Sequence, residues 1–316
     1  MRRLLYRILL FSGFFAIFLL VFMALIAYST KYSPAVEKYL FPQPGLWGGT
    51  YQRSQELDVW LKNTENDSLS GLLLGGSTVY RNIDPYILSE KTGIDFFNAG
   101  SNSQALANSL VLLQHCVNSG KPIQYLVVSV DHVLWDNSGL ESSSDWITNN
   151  HNPSAGYTFN MAAIARTHLL WLSYAYLRVK QYVPGSYIYV DTTLRGEVYA
   201  GKGFVCSSDQ TPRKLEVKVP IPEMSPKNYN ALLEIMRICK ERNITLTFFN
   251  PKLLNAEYDV SVIKQLDGKI LDAATAPVDA ALFYDNYHLY CRGTALYTEW
   301  IADEFIQLHH ITPTTL

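Results

Sequence analysis

Charge is scarce in this 316-residue chain: 17% of its residues are Asp, Glu, Lys or Arg, and the formal net charge is −2. Without an excess of basic residues there is no surface to track a phosphate backbone, and no block of like charges forms a tail. Nucleic acid is therefore excluded as a partner. Cysteine is sparse as well. Cys116, Cys206, Cys239 and Cys291 include no C-x-x-C spacing, and the seven histidines form neither H-x-x-H nor H-E-x-x-H, so no metal and no cofactor is expected. Cys116 and Cys239 fall in helix-like patterns and read as small buried hydrophobes. A bridge involving Cys206 and Cys291 is left open, as an oxidising compartment would allow. No internal repeat divides the chain.

What the chain has instead is apolar length. With 48% hydrophobic residues it can bury one large domain and still carry an appendage. From Ile8 to Ala27 the run ILLFSGFFAIFLLVFMALIA holds no charge, and as a helix it spans roughly a 30 Å hydrocarbon core. Residues 8–28 therefore read as a transmembrane anchor. A cleaved secretory signal is the alternative, but the stretch exceeds an h-region of about 7 to 15 residues, and Leu25-Ile26-Ala27 is a poor A-x-A-like site. Arg2, Arg3 and Arg7 crowd residues 1–7, whereas Lys31 and Lys38 are diluted by Glu37. That bias puts the N-terminus in the cytoplasm and the body outside a plasma (inner) membrane crossed once. Residues 29–68 read as a juxtamembrane stalk and entry segment, and Tyr28, Tyr32, Phe41, Pro42, Pro44 and Trp47 fit an interfacial stalk leading from bilayer to domain.

Beyond the stalk, apolar runs alternate with helical patterns, which argues for a parallel α/β sheet rather than a sandwich or bundle. The spacing predicts a strand over 71–75, a helix over 83–91 and a strand over 94–98. A helix over 104–117 follows, with Leu106, Leu110, Leu113 and Val117 on one face. After Lys121-Pro122, the β-branched run over 123–130 reads as a central buried strand. From 131 to 222 the rhythm stops. A Ser/Asn stretch, an aromatic helix-like segment around 161–179 and a Tyr/Gly-rich portion over 187–204 read as a long insertion or cap over one end of the sheet. Ser225-Pro226 then opens a helix to Arg242. A strand over 244–249, a weaker helix and loop over 253–278, and a short strand over 281–284 come next. Thr294 is expected to cap a final helix with Leu296, Trp300, Ile301 and Phe305 inward.

In open α/β sheets ligands bind outside the carboxyl ends of the strands, and three such ends here carry polar groups. Ser77 follows the first strand. Asn98-Ala99-Gly100-Ser101-Asn102-Ser103 follows the second, and Ser129-Val130-Asp131-His132 closes the third. Asp285 and His288 stand on a turn ahead of the last helix, a carboxylate three residues before an imidazole, which is how a general base is oriented. Each has a plainer reading: Gly75-Gly76-Ser77 as a turn and helix cap, Asp285 as a turn cap, His288 as a packed ring. His132 is a rival base, although the apolar Val133-Leu134-Trp135 after it favours packing. Tyr157, Tyr187, Tyr189, Tyr199 and Phe204 could face sugar rings, but spacing by two at Tyr187 and Tyr189 also suits a half-buried hairpin.

With these motifs the chain resembles the SGNH (GDSL-like) hydrolase superfamily, and especially its membrane-anchored members that act on cell-envelope polymers, including the D-alanyl transfer protein type. The resemblance covers roughly 71–305, interrupted by the insertion. It implies a three-layer, flavodoxin-like α/β fold over 69–310 around a central parallel sheet, the segment 131–222 being its cap and 311–316 a tail. Gly75-Gly76-Ser77 matches the Gly-Asp-Ser nucleophile motif, with Gly76 in place of the acidic residue, Gly100 matches an oxyanion-hole glycine, and Asp285 and His288 match Asp-x-x-His. The implied catalytic residues are Ser77, Asp285 and His288. The implied activity is hydrolysis or transfer of an acyl ester on an acylated envelope glycan or polymer, and membrane acyl-transfer partner proteins would fit it. The alternative is a degenerate SGNH-like scaffold or polymer-binding protein of an envelope assembly. One place departs from the pattern. The third oxyanion donor, an asparagine in Gly-x-Asn-Asp, is replaced in Ser129-Val130-Asp131-His132. Either Asn98 or Asn102 substitutes, or a protonated or substrate-binding Asp131 serves another purpose, or the site is weak.

Overall fold

The structure is a computed structural model, and it describes residues 2–29, 50–63, 69–149, 155–164, 175–176, 179–180, 182–183, 197–208, 213–256, 261–264, 266 and 268–312. The chain divides into two compact units: residues 1–46 with 166–189, and residues 47–165 with 190–316.

The first unit holds α1 (Arg2–Ser29), a single helix of 28 residues. No charged residue interrupts it after Arg7, and its most apolar window has a mean hydropathy of 2.8. At 1.5 Å per residue it reaches about 42 Å, so by length and composition it can cross a membrane. Phe11 stacks on Phe15 and Phe18 on Phe22, pairs one helical turn apart.

The second unit opens with α2 (Thr50–Lys62), where the sequence reads as stalk. Polar Gln52, Gln55, Glu56 and Asp58 hide a stripe of Arg53, Leu57, Trp60 and Leu61, all buried. Trp60 Nε1 donates to Asp95 Oδ2 at 2.7 Å, and Arg53 Nε to the carbonyl of Gly203 at 3.0 Å. Next come β1 (Ser70–Leu74), α3 (Ser77–Tyr80), α4 (Pro85–Thr92), β2 (Asp95–Asn98), α5 (Leu106–Asn118) and β3 (Tyr125–Ser129). A 3-10 turn at His132–Leu134 leads into α6 (Leu140–Asn149) and α7 (Ala155–Ile164), and then a hairpin of β4 (Glu197–Gly201) and β5 (Phe204–Ser207). The chain ends with α8 (Pro226–Arg242), β6 (Thr245–Asn250), α9 (Ser261–Lys264), β7 (Lys269–Asp272) and α10 (Cys291–His309).

Five strands form one parallel sheet in the order β2-β1-β3-β6-β7. Leu72 sits at its centre, opposite Phe97 on one side and Leu126 on the other. Burial on both faces is why β1 and β3 read as unbroken apolar runs. Leu73, Val127, Phe249 and Leu271 join Leu88 of α4 and Tyr297, Ile301 and Phe305 of α10 in one core cluster. α5 and α8 pack together, and α8 also meets β6. Because the chain leaves β1 for β2 and later returns to β3 on its other side, the crevice between the carboxyl ends of β1 and β3 is the topological switch point of the sheet.

Local chemistry sets several boundaries where the sequence places them. Ser225 caps α8 by accepting from the Asn228 N–H, with Pro226 at the first position and left-handed Asn243 at the end. Asp84 and Pro85 begin α4, and Gly93 ends it at φ 71°. Other expectations are corrected. A strand, β7, lies inside the 253–278 stretch expected to be helix and loop; only four residues long, with exposed Lys269 at its start, it leaves a faint pattern. The expected strand at 281–284 is a 3-10 turn (Ala280–Leu282) followed by a single bridge, Phe283 to Leu289. α10 starts at Cys291, so Thr294 lies inside it and donates to the Arg81 carbonyl instead of capping, while Leu296 is exposed. Tyr157 and Phe204 are buried, Tyr199 donates to Glu56, and Tyr187 and Tyr189 lie outside the described residues.

Candidate active site

Ser77 is delivered by the turn that ends β1. Its two glycines are dictated by close approach: a Cβ on Gly75 would stand 2.5 Å from Ser129 Cβ and from Val79 Cγ2, and one on Gly76 2.5 Å from Leu134 Cδ1. A side chain at position 76 would have to displace the tip of Leu134 of the 3-10 turn, which lies in that space. Gly76, not Ser77, is the N-cap of α3, with no side-chain cap bond. The Ser77 hydroxyl is thus not used to finish a helix.

It meets His288. Ser77 Oγ and His288 Nε2 are 2.6 Å apart, and His288 Nδ1 is 2.7 Å from Asp285 Oδ2. The second oxygen of Asp285 accepts the N–H groups of Tyr287 and His288, each at 2.8 Å, so one carboxylate both caps the turn and holds the ring. Burial pushes the Asp285 carboxyl up, but the His288 ring, by hydrogen bond and charge, and the two backbone N–H groups outweigh it and hold the group below its ordinary range. An ionised carboxylate can only accept, so Nδ1 carries the imidazole proton and Nε2 presents its lone pair to the Ser77 hydroxyl. The His288 side chain remains 14% exposed and that of Asp285 25%, and Ser77 is half-buried, so the group lies open at the rim.

The other expected residues are placed differently. Gly100, expected as an oxyanion donor, already gives its N–H to Asn98 Oδ1 at 3.1 Å. Asn98 is fully buried, and its amide donates to the carbonyls of Val79 and Ile83, so it braces α3 rather than facing a substrate. Asn102 is half-buried on the turn that follows. Asp131 is buried, accepting from Thr78 Oγ1 at 2.9 Å and from the Val133 N–H at 3.1 Å. Burial raises its carboxyl above the ordinary range despite those bonds and the nearby His288 ring. His132 is fully buried against the Trp135 ring, centroids 4.3 Å apart.

Sequence reasoning missed several neighbours. Thr78 links the residue after Ser77 to Asp131. Tyr284 lies nearly parallel to the His288 ring at 5.5 Å, and its hydroxyl accepts from Arg81 Nη1 at 2.6 Å. Asn286, fully buried inside the turn, accepts from the Glu216 N–H and donates to the carbonyls of Leu254 and Glu216. A disulfide joins Cys206 of β5 to Cys291 at the head of α10, three residues past His288, with Cα atoms 5.2 Å apart. Only this last pair is weighed in the sequence, where the bridge is left open. Cys116 and Cys239 are buried free thiols, pushed up to about 12 by burial. Among the described residues no group of three or more His, Cys, Asp or Glu is placed to share a metal ion. Comparison of the chain with protein-family models and with curated proteins yields no match.

Proposed function

We propose that the chain is a membrane-anchored serine acyl-ester hydrolase or acyltransferase of SGNH (GDSL-like) type, acting on an extracytoplasmic envelope glycan or polymer. The observation that carries this reading is the continuous chain Ser77 Oγ, His288 Nε2, His288 Nδ1, Asp285 Oδ2, with links of 2.6 and 2.7 Å. In that order His288 takes the hydroxyl proton as Ser77 Oγ bonds to the acyl carbon, and Asp285 steadies the imidazolium. The proton then passes to the departing alcohol. Water, or an acceptor hydroxyl in the transfer variant, releases the acyl group from Ser77 by the same steps in reverse. In this reading the Ser77 backbone N–H, at the first position of α3, serves as an oxyanion donor, and one such donor is worth about 2.7 to 4 kcal/mol. The polymer and membrane parts of the reading rest on the resemblance, on the apolar run of α1 and on the arginines in its first turns. Tethering raises the effective concentration of a substrate that is itself fixed near the bilayer.

A second reading, a catalytically silent scaffold or polymer-binding domain, is favoured by one observation: the Gly100 N–H is engaged by Asn98, and a carboxyl rather than an amide stands at Asp131. A fluorophosphonate probe applied to the full-length chain in detergent separates the two. The hydrolase reading expects labelling that is lost in Ser77→Ala and His288→Ala. A folded wild-type chain that takes up no probe supports the scaffold.

A further inference from the structure

We infer that Asn82 is a positioning residue for His288, an inference that rests on the hydrolase reading above. Asn82 is fully buried and lies two residues beyond the end of α3, the helix that begins with Ser77. Its Nδ2 donates to the carbonyl of Tyr287 at 2.7 Å, and its Oδ1 accepts the N–H of Leu289 at 3.0 Å. These are the backbone groups immediately before and after His288. A primary amide offers a donor and an acceptor side by side, so one side chain grips the chain on both sides of the imidazole, much as a neighbouring strand would.

The clamp also ties the two halves of the catalytic pair together. Ser77 and Asn82 belong to one short stretch, and that stretch is fixed to α10 by Thr294 Oγ1 donating to the Arg81 carbonyl at 3.1 Å and by Asp84 N–H donating to Thr298 Oγ1 at 2.9 Å. Asp285 sets the tautomer and tilt of the ring from below the turn. Asn82 sets where the turn stands relative to Ser77. A serine and an imidazole 211 positions apart in sequence keep a 2.6 Å contact only if the backbone carrying one is fastened to the backbone carrying the other. Losing that registration by about 1 Å costs on the order of 100-fold in rate. An aspartate at 82 would keep the acceptor for Leu289 but turn an oxygen toward the Tyr287 carbonyl, and alanine would remove both bonds.

The test compares the full-length chain in detergent with Asn82→Ala, Asn82→Asp and the control Asn108→Ala. Asn108 is an equally buried asparagine of α5 that donates to the Gly139 carbonyl and to Ser143 Oγ. Two quantities are read per folded molecule: the rate of fluorophosphonate labelling across pH, and the His288 Nδ1 proton signal in histidine-labelled protein by long-range proton–nitrogen correlation. Asn82→Ala is expected to label about 10- to 100-fold more slowly, with a displaced pH profile and an altered Nδ1 signal. Asn82→Asp is expected to be impaired in the same direction and supplies the answer if the alanine variant does not fold. Asn108→Ala is expected to lose stability while keeping both the wild-type pH profile and the signal. Labelling of either Asn82 variant within twofold of wild type, with the same profile, overturns the inference. If the wild type itself takes up no probe, the hydrolase reading has failed, and the nitrogen signal alone decides: unchanged in the Asn82 variants, it overturns the inference, and changed, it upholds it.

Discussion

Two halves of the carboxyl rim of the sheet treat their polar groups in opposite ways. On the Asp285–His288 side, the side chains bond to one another in a line that ends at a half-buried serine hydroxyl. On the Asn98–Gly100 side, the polar groups are turned inward: Gly100 N–H donates to Asn98 Oδ1, Asn98 Nδ2 to the Val79 and Ile83 carbonyls, and Asp131 accepts from Thr78 Oγ1 and the Val133 N–H. Both halves carry Asn, Asp and Ser. The difference teaches that a polar residue at a strand end is as often satisfying a buried backbone group as facing a ligand, because a buried donor or acceptor left unpaired costs about 1 to 3 kcal/mol.

Breaking the first half should have the largest effect. His288→Ala and Asp285→Asn are expected to lower the labelling rate of Ser77 by about 10³- to 10⁴-fold, the second because an amide no longer enforces the Nδ1–H tautomer. Stopped labelling time courses on folded protein measure this, and a loss below tenfold for Asp285→Asn would show that the carboxylate is only a turn cap. Next comes the covalent tie. The bond between Cys206 and Cys291 closes 85 residues, and removing it by Cys206→Ser with Cys291→Ser should cost up to about 4–5 kcal/mol of unfolding free energy by loop entropy. Denaturant melts with and without reductant give the figure.

The second half should answer differently. Asn98→Ala frees the Gly100 N–H but takes one donor from the Val79 carbonyl, which keeps the Ile83 N–H, and one from the Ile83 carbonyl, so stability should fall by about 1–3 kcal/mol while labelling of the folded fraction changes by less than about threefold. A markedly faster rate would reveal Gly100 as a latent oxyanion donor and erase the contrast between the halves. The smallest effect is expected from Asp131→Asn. Because burial raises the Asp131 carboxyl, the folded state binds its proton more tightly than the unfolded chain does. Its charge therefore subtracts from stability at neutral pH, and that penalty is relieved as pH falls through the raised value toward the ordinary one near 4. The variant should be as stable as wild type or slightly more so at pH 7, the gap closing on acidification. Asp285 runs the other way. Its lowered carboxyl adds stability that is fully present above the ordinary carboxylate range and is lost only as pH falls through its folded value. Melting series across pH separate the two signs.

Much of the frame was legible in the sequence. The strands ending at Leu74, Asn98 and Ser129, the start of α8 at Ser225-Pro226 and the apolar helix over 8–28 all come from patterns of burial, β-branching or capping that are local. Elements whose reasons are not local were misread. α2 hides its buried stripe among polar residues, because what it packs on includes Asp95 and Gly203, far along the chain. β7 is short and begins exposed, so only its neighbour β6 makes it a strand. Thr294 looks like a cap, yet its hydroxyl is claimed by Arg81.

For the site, the sequence by itself determined the candidates: Ser77 at the first strand end, Asp285 and His288 on the last turn, Asn98, Gly100, Asn102 and Asp131 around them. Spacing and residue type are enough to nominate side chains, since a turn and a strand end are local events. Which of them meet, and which are already bonded inside the fold, was decided only by the tertiary structure. A hydrogen bond depends on a partner's position to within a few tenths of an ångström, and here that partner comes from 211 positions away for Ser77, 207 for Asn82 and 53 for Asp131.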